Sequence, residues 1–288
     1  MNFTDSGKYI GYPLVSAFFF FSGFGLIKSY LKDGGQISLK LFAIKRISRL
    51  MMPYIIVIVV LGLYVYFQDP AGFILKTFLS DIFLAREIGP LWYMTVLVFL
   101  YTLFAVCFKY FDAVAARRII LATTIVYIFL CIAFSVPSQW YSSVIGFYTG
   151  IFYGMNEVKV NQFLNKSYFV KLFLLNVGFT VLFCFRLIVS LKITNAEILH
   201  GPFRTVIDLF FISSLIALSE IIKIRNNVLC FIGKISYEIY LIHPFIIYIF
   251  RYLIWSHAEY NVFIFISTIV LAWLLHKFNS SFLRVNKV

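Results

Sequence analysis

The chain has 288 residues, 62% of them hydrophobic and only 13% charged. A soluble globular domain is nearer half apolar and a quarter charged. That balance excludes a soluble enzyme and points to an all-α polytopic integral membrane helical bundle, with residues 1–288 as a single transmembrane domain. The net charge of +13 does not indicate a nucleic-acid partner, because the basic residues lie between apolar runs, where they set topology against the lipid bilayer.

A membrane span needs about 20 mostly apolar residues. About nine segments meet that rule, near 10–30, 51–68, 90–111, 118–136, 141–155, 168–191, 204–222, 230–254 and 261–278. The first residues, Met1 to Lys8, are polar and mixed and do not read as a cleavable signal sequence. The first span carries Phe18-Phe19-Phe20-Phe21-Ser22-Gly23-Phe24, and its Ser-Gly pair allows a close helix approach or a bend. After it come Asp33-Gly34-Gly35 and a basic amphipathic run from Leu39 to Leu50, which reads as a helix lying at the membrane surface. Residues 69–89 form a semi-apolar connection that reads as re-entrant or surface-lying. The third span opens on Gly89-Pro90-Leu91-Trp92-Tyr93. Proline at a first helical position and interfacial aromatics are ordinary there, and Trp92 and Tyr93 are also candidates for stacking an acceptor sugar. The fifth span is short and contains Gly146, Gly150 and Gly154, a spacing suited to close helix packing.

Lys and Arg concentrate in the connections after the first, third, fifth and seventh spans and after the last. By the positive-inside rule these connections and the C-terminus are cytoplasmic, and the N-terminus is outside. An outside start without a signal sequence fits better if a preceding helix began in the cytoplasm and is missing here. Other charges read as paired or peripheral: Arg204 with Asp208 and Glu220 with Lys223 as neutralising pairs, Arg186 and Arg251 as snorkelling groups near helix ends.

Four cysteines, Cys107, Cys131, Cys184 and Cys230, stand singly in apolar segments without CxxC spacing; they read as buried small hydrophobes. No metal site is expected. The P-loop, GxGxxG, HExxH and GxSxG patterns do not occur.

Two segments are candidates for chemistry. In Lys45-Arg46-Ile47-Ser48-Arg49, Arg46 and Arg49 are neighbours on one helix face and could hold a phosphate group, or serve topology and anionic lipid. In Gly233-Lys234-Ile235-Ser236-Tyr237-Glu238-Ile239-Tyr240-Leu241-Ile242-His243-Pro244, polar groups enter a membrane span, where they are costly and usually face a cavity. Ser236, Tyr240 and His243 fall on one helical stripe, with Glu238 nearly opposite. Pro244 cannot donate to the Tyr240 carbonyl. His243 is the one deep histidine on a cavity-capable stripe, either handling a proton or substrate, or fixing a neighbouring helix.

The Phe-rich Ser22-Gly23 segment, Arg46-Ile47-Ser48-Arg49 with Pro53, Pro90-Leu91-Trp92-Tyr93 and the Gly233-to-His243 segment, in this order, resemble the acyltransferase-3 family of bacterial membrane O-acyltransferases. The resemblance implies about ten helices in the cell (inner) membrane. It implies transfer of an acyl group, often acetyl, from cytoplasmic acyl-CoA to a cell-surface or exopolysaccharide carbohydrate, with no bound cofactor. Arg46 and Arg49 match the family's RxxR pair and inherit its donor-binding role. The family's catalytic histidine lies on a helix preceding the Phe-rich segment, so the catalytic residue here is unassigned, with His243 as the substitute candidate. Activity, a non-catalytic pseudoenzyme and a transporter or flippase of a lipid-linked glycan are the readings to be separated.

Overall fold

A computed structural model of the chain describes residues 3–70, 74, 92–192, 197–222, 226–250 and 257–285. Among them there is no strand. Ten helices follow in order: α1 (Phe3–Lys32), α2 (Leu39–Phe42), α3 (Ser48–Gln68), α4 (Trp92–Tyr110), α5 (Ala113–Ala133), α6 (Ile145–Asn165), α7 (Tyr168–Lys192), α8 (Glu197–Ile221), α9 (Asn227–Phe250) and α10 (His257–Val285). Helices dominate because hydrocarbon offers no hydrogen-bond partner for an open backbone, and a helix satisfies its own. The lipid-facing side is visible along α7, where Phe169, Phe173, Val177, Val181 and Phe185 recur every four residues and are all exposed. A soluble monomer does not present such a stripe to water.

Turn chemistry sets the helix ends. Gly34 and Gly35 take φ of 68° and 76°, and the Gly35 N–H bonds the Tyr30 carbonyl at 3.0 Å. This left-handed exit closes α1 at low steric cost because glycine lacks a Cβ. Asp112 caps α5, its carboxylate accepting from the N–H groups of Val114 and Ala115 at 3.1 and 3.3 Å. Asn226 caps α9 in the same way through Val228 and Leu229, at 2.8 and 3.3 Å. Such caps satisfy donors that the first turn leaves orphaned.

Eight of the described helical segments are long and apolar enough to cross a bilayer. The remaining long helix is α6, the segment expected as a short fifth span. It extends to Asn165 and carries a non-helical residue, Asn156 (φ −122°, ψ 20°). The 39–50 run also departs from expectation. It does not lie on the surface as a separate helix: α2, a π-helical turn over Ala43–Ile47 and α3 join without a break, giving one 30-residue rod from Leu39 to Gln68. At about 1.5 Å per residue the rod is about 45 Å long, longer than the roughly 30 Å hydrocarbon core. The connection expected at 69–89, together with Gly89, Pro90, Leu91, Lys223 and Arg251, lies outside the described residues, apart from residues 69, 70 and 74.

The chain divides into two compact units, residues 1–39 with 100–223, and 40–99 with 224–288. The first is built on α1 and α6, which run parallel. A methyl group added at Gly146 would lie 2.5 Å from the Ser16 carbonyl oxygen, and one at Gly150 would lie 2.1 Å from that of Phe20. One at Gly154 would lie 2.4 Å from Ile27 Cγ2, and one at Gly23 would lie 2.1 Å from the Phe147 carbonyl oxygen. Glycines from both helices thus let the backbones touch, as the spacing in α6 and the Ser22-Gly23 pair suggest. In lipid, where burial of apolar surface between helices gains little, this contact is the main adhesive. Phe20 and Phe24 pack on Tyr153, ring centroids 5.9 and 5.6 Å apart. Lys28 pairs with Glu157 near the far end of the same interface. Between α6, α7 and α8 lies an apolar recess of about 320 Å³.

Two expectations are corrected in this unit. Arg186 does not snorkel; it is buried, 2% exposed, with its guanidinium 5.4 Å from the Tyr12 ring. Arg204 and Asp208 do interact electrostatically, but their hydrogen bonds run to serines, Ser138 and Ser143 respectively. Cys107 and Cys131 are buried as expected, whereas Cys184 and Cys230 are exposed, since an apolar side chain can equally face lipid.

Gly150→Ala is expected to lower stability by about 1–3 kcal/mol through overpacking. Gly25→Ala, whose methyl meets nothing within 4 Å, should be neutral or stabilising by up to about 1 kcal/mol. Melting of both variants in detergent checks this; similar melting temperatures for the two would refute the close-contact account.

Candidate active site

The second unit gathers the sequence candidates around the start of α3. Proline at position 53 has no N–H, so the Arg49 carbonyl loses the partner it would have one turn along the helix. Asn279 of α10 supplies the replacement, its Nδ2 donating to the Arg49 carbonyl at 3.1 Å. The next carbonyl, Leu50, accepts from the Tyr237 hydroxyl of α9 at 2.6 Å. The backbone that carries Arg49 is therefore held from two helices. Upstream, Arg46 sits in the π-helical turn, where the Ser48 hydroxyl bonds the Ala43 carbonyl five residues back at 3.3 Å. Single π turns inside α-helices often mark functional positions, because they re-aim side chains. Arg46 is half-buried and Arg49 is exposed.

The Tyr237 hydroxyl also lies 3.0 Å from Met94 Sδ at the start of α4. Sequence position separates Leu50 from Met94 by a whole span, yet both meet one hydroxyl. The starts of α3 and α4 and the middle of α9 converge at one level.

The stripe expected on α9 is present, but its polar atoms are used locally. The Ser236 hydroxyl donates to the Gly233 carbonyl at 2.9 Å. His243 Nδ1 lies 3.1 Å from the Ile239 carbonyl. A carbonyl only accepts, so Nδ1 carries the proton and Nε2 is the basic nitrogen. Tyr240 stands between His243 and α4, its ring 5.8 Å from the imidazole and 4.9 Å from the Tyr93 ring. Trp92 meets Tyr93 edge-on at 6.2 Å. Trp92, Tyr93, Tyr240 and His243 thus form one aromatic series. Trp92 and Tyr93 are 5% and 4% exposed, so in this conformation they pack against protein and present no open face to a sugar.

The buried side of α9 is the opposite one, with Ile235, Glu238, Leu241, Ile242 and Ile246. Glu238 Oε1 lies 2.9 Å from Nδ1 of His276 on α10. The carboxylate is 4% exposed and the imidazole 38%. Here a buried carboxylate fixes the tautomer of a partly open histidine and leaves Nε2 as its base, the orientation used when histidine accepts protons. Sequence reasoning missed this pair. Glu238 and His276 are 38 positions apart on different helices, and no single-helix periodicity connects them. The one available hint was that Glu238 is an acid inside an apolar run, with Lys234 one turn before it as the basic neighbour on its own helix face. Among the described residues no group of three or more metal-ligating side chains occurs.

The sequence model of the acyltransferase domain matches residues 1–277. The chain belongs to the acyltransferase-3 family. No curated protein and no solved structure shows significant similarity to it. The family match spans both compact units and all four motif segments, and the helical bundle fits a multi-pass membrane acyltransferase.

Asn279→Ala is expected to cost about 1–3 kcal/mol by orphaning the Arg49 carbonyl. In a Pro53→Ala background the backbone N–H at position 53 can take over that carbonyl, and the cost of Asn279→Ala should shrink. A double-mutant cycle on unfolding checks it; strictly additive losses would show that the two residues do not share this carbonyl.

Proposed function

We propose that this membrane acyltransferase moves an acyl group, acetyl being the simplest, from cytoplasmic acyl-CoA to a hydroxyl of a cell-surface or exopolysaccharide carbohydrate. Residues 1–288 act as one catalytic domain in a bacterial inner membrane, with the C-terminus cytoplasmic. The observation that carries the reading is the continuous Leu39–Gln68 rod. It takes Arg46 and Arg49 along a membrane span, with the Arg49 and Leu50 carbonyls clamped by Asn279 and Tyr237. Two guanidinium groups three residues apart suit the phosphates of a CoA donor, and a braced backbone reduces the ordering cost of binding them.

Chemistry then needs a proton acceptor. The sugar hydroxyl gives its proton to a histidine Nε2 as its oxygen attacks the thioester carbonyl. The new C–O bond forms, the C–S bond breaks, and the proton passes to the CoA thiolate. His243, beside Tyr240 and Tyr93, and His276, oriented by Glu238, are the two candidates with a defined basic nitrogen. Ser236 and Tyr240 flank His243 on the acceptor side of this reading, with the buried Tyr93 and Trp92 packed behind Tyr240.

The purified chain should bind acetyl-CoA and transfer acetyl to carbohydrate. Arg46→Ala with Arg49→Ala should raise the acetyl-CoA Kd by about 10–100-fold, the loss of one or two charge-assisted contacts. Isothermal titration reads the binding, and radiolabelled acetyl transfer reads the turnover. Donor binding without turnover would indicate a pseudoenzyme, and glycan flux without donor a transporter. His243→Ala and His276→Asn, assayed separately, assign the base: the variant that keeps wild-type turnover is not it.

A further inference from the structure

The apolar recess between α6, α7 and α8, inside the first unit, has a charged end. Its volume is about 320 Å³, enough for one small ligand or chain. Its lining is apolar except for Ser213 and Lys171. Its edge faces lipid: Phe163 and Leu174 are 66% and 59% exposed, and Leu174 follows Phe173 on the exposed stripe of α7. Lys171 marks the end nearest the α6–α7 connection. Its ammonium lies over the Phe163 ring, 3.7 Å from the centroid, and donates to the Phe163 carbonyl. An ammonium has three donors, so two remain after that bond. Among the described residues no carboxylate pairs with Lys171.

Two further lysines, Lys159 and Lys166, are exposed at the same end. Of the carboxylates there, Glu157 is taken by Lys28, and Glu220, one turn past Ile216 of the recess wall, acts on Tyr153 and Tyr168. Among the described residues of α6, α7 and α8, this end therefore carries three lysines against one carboxylate outside that pair. The positive-inside reading puts it at the cytoplasmic leaflet, whose surface is rich in anionic headgroups. The chemistry of the occupant follows. Free phosphate gains nothing from an apolar recess. A zwitterionic lipid fills the recess without a net charge for the lysines. A fatty acid carries its carboxylate on the chain itself, at the depth of Lys171, and leaves Lys166 beyond the end of α6 unused. An anionic phospholipid sets its phosphate one glycerol farther out, where both lysines can reach it by extending along apolar surface.

We propose that this recess holds one acyl chain of an anionic phospholipid, whose phosphate is bound by Lys171 and Lys166. The site stands apart from the acyl-transfer reading and does not depend on it. The test is native mass spectrometry of the delipidated, detergent-purified chain, titrated with phosphatidylglycerol and with phosphatidylcholine of the same acyl chains. One phosphatidylglycerol should bind more tightly than phosphatidylcholine, and excess inorganic phosphate should not displace it. Lys171→Gln should weaken phosphatidylglycerol about fivefold, the effect of one lysine near a lipid surface, and leave phosphatidylcholine unchanged. Lys109→Gln, which removes an exposed lysine at the end of α4, should change neither. Ser213→Phe fills the recess and should weaken both lipids. Should that variant fail to fold, Leu174→Trp narrows the mouth at a position already open to lipid and is read by the same criterion. Equal binding of the two phospholipids, equal binding of oleate, or displacement by phosphate overturns the proposal. So does an equal loss in the Lys109 and Lys171 variants, or unchanged binding once the recess is filled.

Discussion

Hydrocarbon supplies no hydrogen bonds, and that constraint organises this protein at every level. It makes the backbone helical, and it turns each interruption of a helix into a debt that another helix must settle. The clearest case is Pro53: its missing N–H leaves the Arg49 carbonyl open, and Asn279 closes it from α10. The site is assembled by that repair. Tyr237 adds a second bond on the next carbonyl and brings Met94 to the same point.

The same scarcity explains how the helices adhere. Lipid tails are as apolar as leucine, so burial does not hold helices together in a membrane; close contact does. Gly23, Gly146, Gly150 and Gly154 remove the side chains that would keep α1 and α6 apart. Some polar residues, Ser236 and His243 among them, turn to carbonyls of their own helix, while others find partners across helices. Glu238 meets His276, Ser143 meets Asp208, and Arg204 meets Ser138 and the Tyr12 ring. Each unit therefore contains a buried polar cluster of its own, one around histidines and the other around arginines.

Much of this was legible in the residues. Apolar runs of spanning length, the glycine spacing of α6, the Asp33-Gly34-Gly35 exit and the family motifs are local patterns, and local patterns survive folding into a helix. Where the reading failed, it had assigned polar groups partners within their own helix. Arg204 and Asp208 are one turn apart and looked self-neutralising, yet each is bonded to a serine of the segment before α6. The 39–50 run has the basic amphipathic pattern of a surface helix. A π-helical turn carries it smoothly into α3, and no composition rule distinguishes those two outcomes.

By itself the sequence determined that the chain is an all-α membrane bundle of the acyltransferase-3 family, because bilayer thickness and backbone hydrogen bonding translate directly into apolar run lengths and motif order. It also named Arg46, Arg49 and His243 as the groups to examine. Tertiary structure alone decided which face of α9 is buried, that His276 has a carboxylate partner, that Leu50 and Met94 share one hydroxyl, and that Arg186 is enclosed. These are relations between helices far apart in the chain. Helical periodicity fixes only the angle of a residue about its own axis, and the partner on the facing helix is chosen by packing.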